Sequence, residues 1–228
     1  MQTDVKVWDW EFAVKIFPEI ASALKITIAA TFAAFFVALI LGLILTVLRR
    51  SSVKPAAKIT QWIIEFIRNT PLLVQLYFVF YVFPEFGLLL SPFTAGVVGL
   101  GVHYSTYLSE VYRSGIDAVP KGQWEVGTAL NFKKSQVWSK IILPQAIPPV
   151  VPVLGNYLLT MFKETPLLSA ITLVEILQKA KIIGAGSFRY LEAFSIVGVL
   201  FLVLSYPSSL LIQRLDKRLN RRNAEVKN

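Results

Sequence analysis

The sequence predicts an all-helical membrane protein with about five transmembrane helices, and two observations support that fold class. Hydrophobic residues make up 55% of the chain and charged residues 16%, which is poorer in charge than soluble domains usually are. The charges are also segregated, because several stretches long enough to cross a bilayer core of roughly 30 Å carry none. We therefore expect a single transmembrane domain over residues 1–228.

The five predicted spans differ in how clearly the sequence marks them. The first is the clearest, since no ionisable side chain lies between Lys25 and Arg49. The second must include Glu65 and Arg68, which should then face protein, water or the interface and not acyl chains. The third is interrupted only by His103. The predicted boundaries are about 20–48, 58–83, 88–112, 138–165 and 191–214.

Prolines mark the second and fourth spans as irregular. Each proline removes a backbone donor, and carbonyls freed in lipid need partners, so such sites are usually buried against other helices or line an aqueous cavity. The fourth span is therefore a candidate for lining a pathway, and a kink needed only for packing is the alternative. The prolines are Pro71 in the second span and Pro144, Pro148, Pro149 and Pro152 in the fourth.

The residues before the first span predict a short amphipathic segment that lies on the membrane surface. Aromatic residues alternate there with charges, a pattern typical of interfacial helices, and a disordered tail is the alternative. A cleaved signal peptide is not expected, because the segment has acidic residues where a leader would be basic. The aromatic residues are Trp8, Trp10, Phe12 and Phe17, and the acidic ones are Asp4, Asp9, Glu11 and Glu19.

Lysine and arginine cluster after the first span, between the third and fourth spans, and after the fifth. Cytoplasmic loops carry an excess of these residues, so the pattern predicts an external N terminus and a cytoplasmic C terminus. The net charge of +9 then reflects topology and contact with the lipid bilayer, particularly its anionic lipids. Nucleic-acid binding is not expected, because the basic groups flank spans and do not form a soluble basic face.

The chain lacks the groups that an enzyme would need. It has one histidine, His103, and no cysteine, so no familiar catalytic triad, zinc site or disulfide can form. No GxSxG, HExxH or GxxxxGK motif occurs, and the last absence means that any nucleotide energy must come from another subunit. We predict no catalytic residues, no metal site and no cofactor in this chain.

The longest hydrophilic interval runs from about Glu110 to Lys140 and is too polar to span the membrane. Small and apolar residues lie near one side of a short predicted helix that begins after Lys121 and Gly122. Such a helix can offer a docking surface, and a helix that merely rests on the membrane is the alternative.

This interval resembles the EAA loop of bacterial binding-protein-dependent ABC importers. The family pattern is Glu-Ala-Ala, three residues, Gly, nine residues, then Ile, any residue, Leu and Pro, and the spacing here matches throughout. The positions that agree are Glu125, Ile141, Leu143 and Pro144, and those that differ are Val126, Gly127 and Asn131. Asn tolerates a left-handed backbone, so a helix end at Asn131 is feasible.

Four further blocks narrow the resemblance to the polar amino acid permease branch and extend it over nearly the whole chain. They are FIRNTPLLVQ at 66–75, YLSEVYRSGI at 107–116, VPKGQWE at 119–125 and KETPLLS at 163–169. The resemblance implies a type I ABC importer permease fold in a bacterial inner membrane. It also implies a second permease, identical or related, and an extracellular amino acid binding protein.

The resemblance further implies a cytoplasmic ATPase dimer, which would bind ATP and Mg and grip a coupling helix at about 122–132. Closure of the ATPases would switch a central cavity between inward and outward access. The expected coupling residues are Trp124, Glu125, Gly127, Ala129, Leu130 and Asn131.

The substrate that this resemblance implies is a polar or basic L-amino acid. A charge inside a span costs several kcal/mol unless it is paired or hydrated, so Lys163 and Glu164 are candidates for contact with a zwitterion. Adjacent residues point about 100° apart, and both need not meet the ligand. Gln75, His103 and Tyr107 complete the predicted substrate site. A secondary carrier or channel is the rival function, and a membrane-embedded enzyme is a distant third.

Overall fold

The computed structural model describes residues 7–225, and it describes every side chain in that range except those of Thr128 and residues 220–225. Within this range all regular structure is helical and no strand occurs, which agrees with the predicted class. The α-helices are α1 Trp10–Arg49, α2 Lys54–Arg68, α3 Leu72–Tyr77, α4 Pro92–Asp117, α5 Lys121–Ala129, α6 Lys134–Val137, α7 Leu143–Glu164, α8 Ile176–Ser187 and α9 Tyr190–Glu225. Shorter π-helical turns cover Phe78–Val82 and Trp138–Ile142, and 3-10 helices cover Phe83–Phe86 and Thr165–Ile171.

Helix α1 begins much earlier than the first predicted span. The Asp9 carboxylate caps it by accepting a hydrogen bond from the Phe12 N–H at 3.1 Å, and the helix then continues for 40 residues, or about 60 Å. Trp10, Phe12 and Phe17 of the expected surface segment belong to the first turns of α1, so this part forms no separate segment, and Asp4 lies outside the described residues. The buried side chains of these turns pack against α8 and α9, so protein covers this face. The cluster comprises Ile16, Ile20, Ala23, Ile176, Ala180, Ala193 and Val197.

Small residues bring α1 and α4 into close contact. A Cβ added to Gly101 would lie 2.6 Å from Val37 Cγ1, and one added to Gly42 would lie 3.0 Å from the Ser105 carbonyl oxygen. Close approach of backbones through small residues is a common way for membrane helices to associate. The Thr46 hydroxyl also donates to the Ser109 carbonyl at 3.1 Å.

Three helical stretches in the described range are long and apolar enough to cross a membrane: Trp10–Arg49, Lys134–Ile171 and Tyr190–Leu219. The pair Lys54–Arg68 and Leu72–Phe86 passes the same test together but bends by 100°. The predicted second span is therefore not one straight helix. The break falls at Pro71, which lacks the N–H that a continuous helix would need.

The predicted third span corresponds to α4, which has 26 residues and is about 39 Å long. It is less apolar than the other candidates, and half of its residues are buried. Those buried positions include His103, Tyr104, Ser105 and Thr106, which make polar contacts inside the bundle and lower the hydropathy. Its membrane crossing, like the orientation of the termini, stays a prediction.

Candidate functional site

A polar and aromatic cluster lies where α4 meets the end of α7. The Tyr104 hydroxyl donates a hydrogen bond to Glu164 Oε2 at 2.6 Å. Tyr104 is buried, whereas Glu164 is partly exposed. A carboxylate has about four lone-pair sites, so Glu164 retains acceptor capacity for a cationic ligand while Tyr104 fixes its orientation.

Gln75 and His103 form a second contact in the same region. Gln75 Oε1 lies 3.2 Å from His103 Nδ1, and Gln75 Nε2 donates to the carbonyls of Ile67 at 2.7 Å and Thr70 at 3.0 Å. These carbonyls belong to the break between α2 and α3, where regular helical bonding stops. Gln75 therefore braces the bend and links it to α4.

Aromatic rings connect these two contacts. The Tyr107 ring centroid lies 5.2 Å from that of His103 and 6.0 Å from that of Tyr157, and the centroids of Tyr157 and Tyr104 are 6.1 Å apart. Tyr157 was not among the residues predicted from the sequence. The available signal was its position seven residues before Glu164, which places both on nearly the same face of α7.

The structure thus brings together four of the five predicted substrate residues: Gln75, His103, Tyr107 and Glu164. Lys163 is exposed, and its side chain has no hydrogen bond or ion pair to any residue in the part of the chain that the structure describes. Its side chain points about 100° away from that of Glu164 around the helix.

The cluster continues into a network of arginines and carboxylates that joins α1, α2 and α4. Arg68 Cζ lies 4.9 Å from the Tyr107 ring centroid, and Arg68 Nη1 lies 3.8 Å from Glu110 Oε1. Glu110 also accepts from Arg49 and, at 2.9 Å, from Arg113 Nε. A carboxylate with three basic partners can remain ionised when partly buried. Arg68, Glu110 and Arg113 therefore form ion pairs that help to join α2 and α4.

The network ends at Asp117, beyond the predicted third span. Asp117 pairs with Arg50 and, at 3.0 Å, with Arg113. Partial burial acts to raise the pKa of Asp117, but the hydrogen bonds and charges of the two arginines hold that pKa below its ordinary value. Helices α1 and α4 are therefore tied together electrostatically at this end.

The predicted coupling helix corresponds to α5 and presents a partly apolar surface. Glu125, Val126, Ala129 and Leu130 are exposed, and Val126 is 46% and Leu130 58% exposed. Large exposed aliphatic side chains on a short polar helix are typical of an interaction surface. Val126 was not predicted as a coupling residue, although it lies four residues before Leu130 on the same face.

Trp124 and Gly127 face the chain's own interior. The Trp124 ring packs edge-on against Trp138 with centroids 5.2 Å apart. Gly127 is buried, and a Cβ at this position would lie 2.7 Å from Val137 Cγ2. Both contacts fix α5 to α6 and to the π-helical turn that leads directly into α7.

Helix α5 ends at Ala129, sooner than the predicted boundary near residue 132. Asn131 has a φ of 54°, and the Phe132 N–H donates to the Gly127 carbonyl at 3.0 Å. This backbone bond and the left-handed residue are typical of a Schellman-type helix end. The feasibility of a left-handed Asn131 is confirmed, and it explains why the helix stops there.

Sequence comparisons place this chain among transport proteins. Residues 38–221 match the family described as binding-protein-dependent transport system inner membrane component. A probable amino-acid ABC transporter permease of Sinorhizobium fredii is 44% identical over 216 residues, which cover 95% of this chain and 94% of that protein. The L-cystine transport system permease of Bacillus subtilis is 35% identical, with 91% of this chain and 92% of that protein covered.

Comparison with solved structures gives the same result for the fold. The crystal structure of an amino acid ABC transporter with histidines superposes with a TM-score of 0.87 and 34% identity, covering 92% of this chain and 99% of that chain. An inward-facing structure of the MetNI methionine ABC transporter has a TM-score of 0.68 at 19% identity, with 93% and 99% of the two chains covered. The latter likeness concerns the fold alone.

Proposed function

The chain belongs to the family of binding-protein-dependent transport system inner membrane components, and from this premise we propose that it moves polar or basic L-amino acids into the cytoplasm. It is an amino-acid ABC transporter permease subunit and a multi-pass protein of the inner membrane. It is not an enzyme, and the ATPase activity belongs to a partner subunit.

The observation that carries the proposed substrate class is the Tyr104–Glu164 hydrogen bond within a cluster of aromatic rings. A partly exposed carboxylate attracts the ammonium of an amino acid or a guanidinium, and charge-assisted hydrogen bonds of this kind are strong. Faces of tyrosine rings attract the same cations. Lys163 is the candidate partner for the substrate carboxylate. His103 and Gln75 complete the polar lining.

The proposed energy source for transport is a dimer of partner ATPases, which binds ATP and Mg and docks on α5. The contacts Trp124–Trp138 and Gly127–Val137 join α5 to the segment that continues as α7, and α7 ends at Glu164. A displacement of α5 would then move α7 and its carboxylate as one packed unit. Rigid-body switching between two packed states fits this arrangement and gives alternating access.

The transport unit that we propose contains two permeases, identical or related, which pair in the membrane. An extracellular binding protein would deliver the amino acid to the outward face. Glu125, Val126, Ala129, Leu130 and Asn131 would supply the exposed contacts to the ATPase, while Trp124 and Gly127 would act from inside by holding α5 in place.

Reconstituted uptake separates this function from that of a secondary carrier or channel. The permease is incorporated into liposomes with its ATPase, and accumulation of radiolabelled arginine, histidine and glutamine is measured with the binding protein on the outside. We expect accumulation only when ATP is enclosed, with liposomes that lack the ATPase as the control. Accumulation driven by an ion gradient in the absence of ATP would instead support the carrier.

A further inference from the structure

An apolar groove lies between α1, α7 and α9, away from the polar cluster. It has a volume of about 340 Å³ and is lined mainly by aliphatic and aromatic side chains. The two hydroxyl groups in its lining bond to their own helices, because Thr31 donates to the Thr27 carbonyl at 2.8 Å and Ser208 to the Leu204 carbonyl at 2.7 Å. The groove therefore offers no free donor and suits an apolar occupant.

Basic residues continue the groove along α9. Leu204, Ser208 and Leu211 line it, and their spacing of four and three residues keeps them on one helix face. Arg218 follows Leu211 by seven residues and falls on the same face, about 10 Å further along the axis. Arg214 lies one turn after Leu211. Both side chains are exposed, and neither has an ion pair within the described residues.

We propose that this groove and the two arginines form a binding site for an anionic phospholipid. One acyl chain would occupy the groove, and the phosphate and anionic headgroup would pair with Arg214 and Arg218. Two features of the site support this occupant. The groove lies in a membrane-crossing part of the bundle, and the positive charge begins where its apolar lining ends, as the amphipathic shape of a phospholipid requires. Guanidinium groups also match phosphate geometry well.

The positions of the charges relative to the membrane agree with the proposal. Each lysine or arginine near the membrane surface raises the affinity for anionic lipid about fivefold. The C-terminal end of α9 is the end that the distribution of basic residues predicts to be cytoplasmic. The site does not depend on the proposed substrate, because it shares no residue with the Tyr104–Glu164 cluster.

The test uses phosphatidylglycerol and phosphatidylcholine that carry the same photoreactive acyl chain. The complete transporter is labelled in mixed bilayers, and the labelled peptides are mapped. We expect phosphatidylglycerol to label the segments around Leu158 and Leu211 several times more strongly than phosphatidylcholine. The double variant Arg214→Gln/Arg218→Gln should lower this labelling roughly fivefold for each charge removed.

The matched control is Lys54→Gln/Lys58→Gln, which removes the same charge from exposed positions on α2 and should leave the labelling unchanged. Ser208→Leu, which fills the groove without changing its charge, should lower labelling by both lipids. Equal labelling by the two lipids, or labelling that the arginine variant does not alter, would overturn the proposal. So would a disulfide between Leu211→Cys permeases, since another protein chain would then cover the groove; the native chain has no cysteine to interfere.

Discussion

Tyr104 in α4 donates its hydroxyl hydrogen to the Glu164 carboxylate at the end of α7, with 2.6 Å between the oxygens. This bond connects α4, which packs against α1, with α7, which follows α5 and α6 along the chain. It also prepares one carboxylate oxygen in a definite orientation before any ligand arrives. Preorganisation of this kind improves binding, because less ordering is needed when the ligand binds.

The substitution Glu164→Gln tests the role of this carboxylate in substrate binding. The amide keeps the size of the side chain and can still accept from Tyr104, but it loses the charge that would pair with a cationic amino acid. We expect the half-saturation concentration for arginine uptake to rise about tenfold, which corresponds to the loss of about 1.4 kcal/mol of binding. Uptake and substrate-stimulated ATP hydrolysis in liposomes measure the effect.

Tyr104→Phe is the matched control, since it removes the hydrogen bond and keeps the carboxylate. Its effect on half-saturation should be smaller than that of Glu164→Gln. Unchanged transport and unchanged stimulation in Glu164→Gln would remove Glu164 from the substrate site.

Gln75→Leu should destabilise the bend between α2 and α3. The change removes a side-chain donor from the carbonyls of Ile67 and Thr70, and it leaves the buried His103 ring without its side-chain partner. An unsatisfied buried polar group costs about 1–3 kcal/mol, so we expect a lower midpoint of thermal unfolding in detergent. Gln61→Leu, at an exposed position on α2, serves as the comparison. Equal midpoints for the two variants would show that Gln75 does not brace the bend.

Gly127→Ala should destabilise the contact between α5 and α6, although alanine is the residue that the EAA pattern has at this position. The added methyl group would lie 2.7 Å from Val137 Cγ2, closer than two carbon atoms can approach without displacement. We expect ATP hydrolysis to become less dependent on substrate, because α5 is displaced from α6. Combining Gly127→Ala with Val137→Ala should restore coupling, and failure of this rescue would contradict the packing explanation.

The pH dependence of stability should reveal the buried carboxyl of Glu175, which precedes α8. Burial raises its pKa from the ordinary 4.5 to about 6, although the N–H groups of Leu177 and Gln178 and the charge of Lys181 act in the opposite direction. Since the folded-state pKa is the higher one, the stabilising contribution is full below pH 4.5 and is lost as the pH rises through about 6.

The measurement compares the wild type with Glu175→Gln. The difference in free energy of unfolding between the two should change by about 2 kcal/mol across this pH window, in favour of the variant as the pH rises. Glu11→Gln, at an exposed position in the first turn of α1, serves as the control variant. A constant difference between wild type and Glu175→Gln from pH 4 to 7 would contradict the burial effect.

Helix-forming membrane segments were predictable because uncharged stretches are local features of the sequence. The packing of the N-terminal segment could not be predicted, because Ile16 and Ile20 are buried by residues more than 150 positions away in α8 and α9. Pro71 signalled an irregularity in the second span, but the size of the bend depends on tertiary contacts such as those of Gln75. Local patterns cannot report on partners that distant segments provide.

In the candidate site, too, some residues could be predicted from the sequence and others could not. Sequence blocks drew attention to Gln75, Tyr107 and Glu164, and His103 was noticed as the one histidine of the chain. The fold brings these four residues together. Tyr157 lies outside those blocks and was missed, although helical periodicity connects it with Glu164. On α5, spacing alone could not separate the exposed Val126 from the buried Gly127, because the orientation of the helix is set by the contacts of Trp138 and Val137.

Crosslinking of α5 to the partner ATPase is the decisive measurement for the proposed docking of the ATPase on this helix. The chain has no cysteine, so Val126→Cys introduces a single reactive thiol on the exposed face of the helix, and Ser114→Cys on α4 provides an exposed control. A short thiol-specific crosslinker is applied to membranes that contain the complete transporter with a cysteine in the ATPase surface. We expect Val126→Cys to yield a permease–ATPase product whose amount changes when ATP is added, whereas Ser114→Cys yields none. The ATPase cysteine is moved through a series of positions. If Val126→Cys transporters accumulate amino acids but form no crosslinked product at any of these positions, the proposed docking of the ATPase on α5 is contradicted.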